Sequence, residues 1–164
     1  MIQQPNGNMK KVTEELQRIV NDFSAKISSI PEKEFAVKPL PNKWSKKEVL
    51  GHLIDSAQNN LRRFICGQYE SSPPHIIYEQ DFWVSANAYG QAKSEHVIQL
   101  WQLINNRLCD VLNSMPQVNY NKVCNTGKAS EQLHSLEWLA EDYVKHMKHH
   151  LNQIIPNSFN IVYK

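Results

Sequence analysis

Cysteine is scarce. The sequence holds three, Cys66, Cys109 and Cys124, and no two of them form a CxxC pair. An odd, widely spaced set excludes a disulfide framework, a zinc ribbon and a dithiol redox motif, and it suits a reducing compartment. Long apolar runs are missing too, since none approaches the ~18 residues that would span a bilayer. The stretch from Met1 to Asn8 is polar and lacks the apolar segment of a signal peptide. The expectation is a cytoplasmic protein. Charge of one sign is also lacking: 18 Lys and Arg stand against 16 Asp and Glu, a net +2 with histidine neutral. So weak a balance argues against a nucleic-acid or membrane-surface partner, which calls for a basic patch. What remains is a chain of 164 residues, 41% hydrophobic and 21% charged. That is enough for one domain with its own core. Its seven histidines stand out in an otherwise ordinary composition.

The eight prolines divide the chain, because proline breaks a helix interior. Four long proline-free stretches are left, at about 9–30, 44–69, 90–115 and 133–155. Each carries one apolar stripe at helical spacing. In the first, the stripe is Val12, Leu16, Ile19, Phe23, Ile27 and Ile30; in the third, Val97, Leu100, Ile104, Leu108, Val111 and Met115. The second offers Leu50, Leu53, Ile54, Ala57, Leu61, Phe64 and Ile65; the fourth offers Leu136, Leu139, Ala140, Tyr143, Met147, Leu151 and Ile154. No stretch alternates with period two. Ser45 with Glu48 forms a capping box before the second helix, and Ser135 is a plausible N-cap for the fourth. Four such helices predict an all-α four-helix bundle, with a long loop over residues 70–89 between helices 2 and 3. That loop is rich in aromatics (Tyr78, Phe82, Trp83, Tyr89) and is expected to pack back on the bundle. Residues 1–8 are expected as a flexible tail, 9–158 as a single domain and 159–164 as a C-terminal tail.

The histidines fall unevenly. His146 and His150 are four apart on the fourth helix, so their imidazoles stack on one face, one turn apart. An H-x-x-x-H pair is the simplest two-imidazole chelate. His149 points elsewhere. His52 lies at the edge of the second helix's apolar stripe. If those two edges face each other, three imidazoles converge, and bundle cores build metal sites in this way. Three neutral imidazoles leave coordination positions open, as catalytic sites require, and they suit several metals. The bland readings stay open at this point. An isolated H-x-x-x-H arises by chance, and a boundary histidine such as His52 is often satisfied by a hydrogen bond. Cys124 lies in a polar loop and is a candidate for exposure; Cys66 and Cys109 read as packed hydrophobes.

Lys43-Trp44-Ser45-x-x-Glu48-Val49-Leu50-x-His52-Leu53-x-Asp55-Ser56 resembles the second-helix signature of the DinB/YfiT-like metalloprotein superfamily. His146-Met147-Lys148-His149-His150-x-x-x-Ile154 resembles its fourth-helix signature. Pro74, Ile76 and Tyr78, followed by Trp83, resemble the long middle loop of the YfiT-like branch. Asn59 and Arg63 match that branch in their spacing after the first histidine. The likeness spans about residues 10 to 155. It implies a DinB-like four-helix bundle that binds a divalent metal through His52, His146 and His150. Zn or Ni is expected first, with Fe or Mn as further candidates. Characterised relatives include S-transferases that use a low-molecular-weight thiol such as bacillithiol or mycothiol, and others described as metal-dependent hydrolases. Homodimers are common among them.

The expected function is therefore a metal-dependent transferase joining a low-molecular-weight thiol to an electrophilic small molecule. The alternatives are a metal-dependent hydrolase using metal-bound water, and a non-enzymatic stress-related binding or structural protein. In the enzyme readings Arg63 pairs with an anionic part of the substrate. Ser56, Asn59 and Trp83 complete the substrate's surroundings. Tyr143 is expected as a proton donor or a support for the ligands, and Asp55 as a carboxylate that orients an imidazole.

Overall fold

The computed structural model describes residues 7–163. These form six α-helices: α1 (Gly7–Ser28), α2 (Glu32–Phe35), α3 (Lys46–Tyr69), α4 (Gln80–Ala86), α5 (Ser94–Ser114) and α6 (Leu136–Ile154). A short antiparallel hairpin, β1 (Val123–Asn125) with β2 (Leu133–Ser135), precedes α6. No described helix is long and apolar enough to cross a membrane.

The four long helices coincide with the four proline-free stretches. Their stripes meet in one core, where Leu16, Leu50, Leu53, Leu108, Leu112, Met147 and Leu151 lose all contact with solvent. Each such side chain stabilises the fold by roughly 1.5–3 kcal/mol. The stripe of α5 is rotated from the expected one. Leu100 is 44% exposed, and the buried face runs instead through Val97, Ile98, Trp101, Asn105, Leu108 and Leu112. A buried asparagine at its centre is tolerated because Tyr143 donates its hydroxyl hydrogen to Asn105 Oδ1, at 2.5 Å.

Both expected caps are present. Ser45 Oγ accepts from the Glu48 amide at 3.1 Å, while Glu48 Oε2 accepts from the Ser45 amide at 2.8 Å. Ser135 Oγ accepts from the Trp138 amide at 3.1 Å, starting α6 where β2 ends.

Contacts along the helices fix their directions. Gln17 meets Asn106 and Thr13 meets Cys109, so α1 and α5 are antiparallel. His52 meets His146 while Gly67 packs on Leu136, so α3 and α6 are antiparallel. The first turns of α3 and the approach to α5 lie together: Lys47 Nζ donates to the Ala92 carbonyl at 3.0 Å. Helices α3 and α5 are consecutive long helices, and they run parallel. A short turn cannot join them, because the chain must first return along α3, 24 residues or about 36 Å. This accounts for the long connection.

That connection packs back at chosen points only. Tyr89 is buried and Tyr78 half-buried, whereas Phe82 is 71% exposed. Tyr89 lies so close to α3 that a Cβ on Gly51 would come within 2.1 Å of its ring. The hairpin strands have three residues each, too few to show a period-two pattern. Cys124, a candidate for exposure in sequence, is fully buried in β1. The expected tails differ at their inner edges. Helix α1 begins at Gly7, and Phe159 stacks on Phe23 with ring centroids 5.2 Å apart. Residues 1–6 and Lys164 lie outside the described residues.

Candidate metal centre

Antiparallel packing of α3 on α6 sets the stripe edges against each other. It brings His52, on the first half of α3, to the pair on the last half of α6. His52 Nε2 and His146 Nε2 are 3.2 Å apart. One nitrogen from each of His52, His146 and His150 lies within 4.8 Å of the others. A tetrahedral ion with bonds of about 2.0–2.1 Å places its nitrogen ligands about 3.3 Å apart. A shared proton would account for the first pair but not for the third ring, so the donor set fits a divalent ion.

The rings are also in the right charge state. Burial and the neighbouring His150 push His52 down to about 3. Burial and the other imidazoles drive His146 well below the usual histidine range, and burial lowers His150. All three are neutral at pH 7, as ligands must be. His150 Nδ1 lies 3.2 Å from Gln153 Oε1. That oxygen only accepts, so Nδ1 carries the proton and Nε2 keeps its lone pair. Ser56 Oγ lies 3.4 Å from His146 Nδ1, a contact that holds the ring in place. His52 is held by packing: Trp44 covers it with ring centroids 5.0 Å apart. Its Nδ1 is buried without a hydrogen-bond partner among the described residues.

The other sequence candidates divide. Ser56 touches His146. Asn59 is buried and donates to the Asp55 carbonyl at 2.9 Å. Arg63 donates through Nε and Nη2 to the Ile76 carbonyl, at 3.2 and 2.7 Å, and through Nη1 to Asn60. It clamps the start of the crossover to α3. Trp83 is half-buried, edge-on to Tyr78 at 5.5 Å. Tyr143 is in the core on Asn105 rather than beside the imidazoles. Asp55 accepts from Tyr89 Oη at 2.7 Å and Asn87 Nδ2 at 3.0 Å, pinning the end of the crossover. Burial raises its carboxyl to about 6 even though the Tyr89 hydrogen bond opposes this.

Three neighbours of the triad were not among the candidates. Gln153 is three residues past His150, and helical spacing alone would have found it. Trp44 precedes the α3 cap, where no periodicity points. Tyr163 packs on His146 and His149, each at 5.6 Å, and donates to Asp142 Oδ2 at 3.1 Å. It comes from beyond the last helix and carries no local signal. The remaining histidines have other surroundings: His75 meets the Gly127 carbonyl at 2.7 Å, and His134 stacks on Trp138.

A family model of the DinB superfamily matches residues 15–154. The chain belongs to the DinB superfamily. Among solved structures, this DinB-superfamily chain resembles YfiT from Bacillus subtilis, "a probable metal-dependent hydrolase with an unusual four-helix bundle topology". The TM-score is 0.81 at 18% identity, over 94% of this chain and 87% of that one. It also resembles a mycothiol-dependent maleylpyruvate isomerase, with a TM-score of 0.67 at 11% identity, over 87% of this chain and 59% of the isomerase. A single-substitution variant of that isomerase gives 0.65 at the same identity. At these identities the likeness carries the fold alone. No curated protein sequence matches the chain.

Proposed function

We propose that this DinB-superfamily protein is a metal-dependent transferase that joins a low-molecular-weight thiol to an electrophilic small molecule in the cytoplasm. The observation that carries the reading is the convergence of three neutral imidazoles within 4.8 Å. His52, His146 and His150 would hold the ion, with Zn or Ni as the first candidates and Fe or Mn behind them. A divalent ion held there supplies Lewis acidity that favours the deprotonated, nucleophilic form of a thiol. The chain's own residues do the rest. Gln153 fixes the tautomer of His150, Ser56 steadies His146, and Trp44 holds His52 in place. Asp55, Asn87 and Tyr89 anchor the crossover beside the site. The mycothiol-dependent isomerase supports a thiol as cosubstrate. The likeness to YfiT supports a hydrolase reading, in which water replaces the thiol on the same ligands. A homodimer is one candidate assembly.

The test begins with metal analysis of untagged protein, wild type beside His52→Ala and His150→Ala. One ion per chain in the wild type and none in the variants is expected. Full occupancy in all three removes the triad. A thiol is then offered with an aryl halide. Loss of free thiol dependent on the bound ion supports transfer; ester hydrolysis without thiol loss supports the hydrolase.

A further inference from the structure

One cavity opens directly on the triad. It has a volume of about 620 Å³, and its walls include Lys43, Trp44, Val49, Asp81, His150 and Gln153. That volume suits a small metabolite. Trp44 and His150 join the cavity to the metal ligands: the first covers His52, and the second is itself one of the three. Ser56, Asn59, Arg63 and Trp83 are not in its walls. The floor is apolar where Trp44 and Val49 lie. The charged residues at its margin differ in how they are engaged. Lys46 and Glu34, also in the walls, are ion-paired with each other. The side chains of Lys43 and Asp81 have no ion pair or hydrogen bond among the described residues, although they carry opposite charges in the walls of one cavity. A ligand with both an anionic and a cationic group would complete them.

We infer that this cavity binds the thiol cosubstrate, and that the cosubstrate is an amino-acid-like, zwitterionic thiol. Lys43 receives its carboxylate and Asp81 its ammonium, with the sulfur directed past Trp44 towards His150. The inference rests on the transferase reading for its sulfur and on the cavity walls for its charges.

Three thiols separate the charges: cysteine carries both groups, N-acetylcysteine only the carboxylate, and cysteamine only the ammonium. Each is titrated into cobalt-loaded protein, with the sulfur-to-cobalt charge-transfer absorption as the readout. Cysteine is expected to bind tightest. Lys43→Glu is expected to weaken cysteine and N-acetylcysteine at least about tenfold, since one charge-assisted contact is lost and a like charge added, and not to weaken cysteamine. Asp81→Lys is expected to weaken cysteine and cysteamine and to spare N-acetylcysteine. Both residues are exposed, so the variants keep the core. Thiol binding that is indifferent to both substitutions overturns the cavity assignment and leaves the thiol reading standing. S-methylcysteine, which has no thiol, is tested in parallel by NMR titration of the metal-free protein. Its binding, weakened by Lys43→Glu, supports the cavity even if no thiol reaches the cobalt. Absence of both signals overturns the inference.

Discussion

The two halves of α3 use polar residues in opposite ways. In the C-terminal half every buried amide or guanidinium is committed to backbone. Asn59 and Asn60 bond back to the preceding turn, Arg63 holds the Ile76 carbonyl, and Gln68 donates to the Phe64 carbonyl. In the N-terminal half, His52 Nδ1 and Asp55 Oδ2 are buried without hydrogen-bond partners among the described residues. Buried polar atoms left this way cost stability. For His52 the cost goes with its place among the three imidazoles, while Asp55 bears it with its other oxygen pinning the crossover. Polarity on a helix face therefore does not by itself mark function; at His52 the mark is its convergence with two further imidazoles.

Substitutions can break that contrast. The largest effect is expected for His52→Ala, which removes one of the three proposed ligands. Bound metal should fall to near zero while the helical circular dichroism is kept; a full complement of metal would place the site elsewhere. Gly51→Ala is next. The new Cβ meets the Tyr89 ring at 2.1 Å, and such overpacking costs about 1–3 kcal/mol. The thermal midpoint should drop, with metal stoichiometry retained. Arg63→Ala should cost up to about 1–3 kcal/mol by leaving the buried Ile76 carbonyl without its donor, again with metal retained. Loss of metal in this variant would move Arg63 from scaffold to site and erase the contrast.

The smallest effect is expected from pH. Histidines with lowered folded values contribute stability that is full above about 6.5, their ordinary value. It is lost as pH falls through that value towards about 3 for His52. Asp55, raised to about 6, and Asp142, also raised by burial, act in the opposite sense and soften the slope. Metal-free protein should therefore melt at a lower temperature at pH 4.5 than at pH 7. In His52→Gln the difference should shrink; an unchanged difference would mean that His52 is not held neutral by the fold.

The triad was legible because a helix places residues four apart on one face, and because His52 sits in a recognisable stretch of sequence. Where the four helices lie was legible from proline spacing. Their directions were not. A stripe states which face is buried and nothing about whether a neighbour runs up or down, so the parallel pairing of α3 and α5 stayed hidden behind a loop that only looked long. Tyr143 misled for a related reason. A tyrosine one turn before a ligand reads as part of the site, but its hydroxyl turns towards a partner 38 residues away. Tyr163 reaches the triad through a tertiary contact that leaves no pattern along the chain.

His52 and His146 stand 94 residues apart. The first proposed ligand therefore lies on α3 and the other two on α6, so the three meet only when those helices pack together. No early fragment can assemble the centre. A chain cut short before α6 keeps one imidazole of the three. Metal binding, if the three imidazoles provide it, would thus report that α6 has packed against α3.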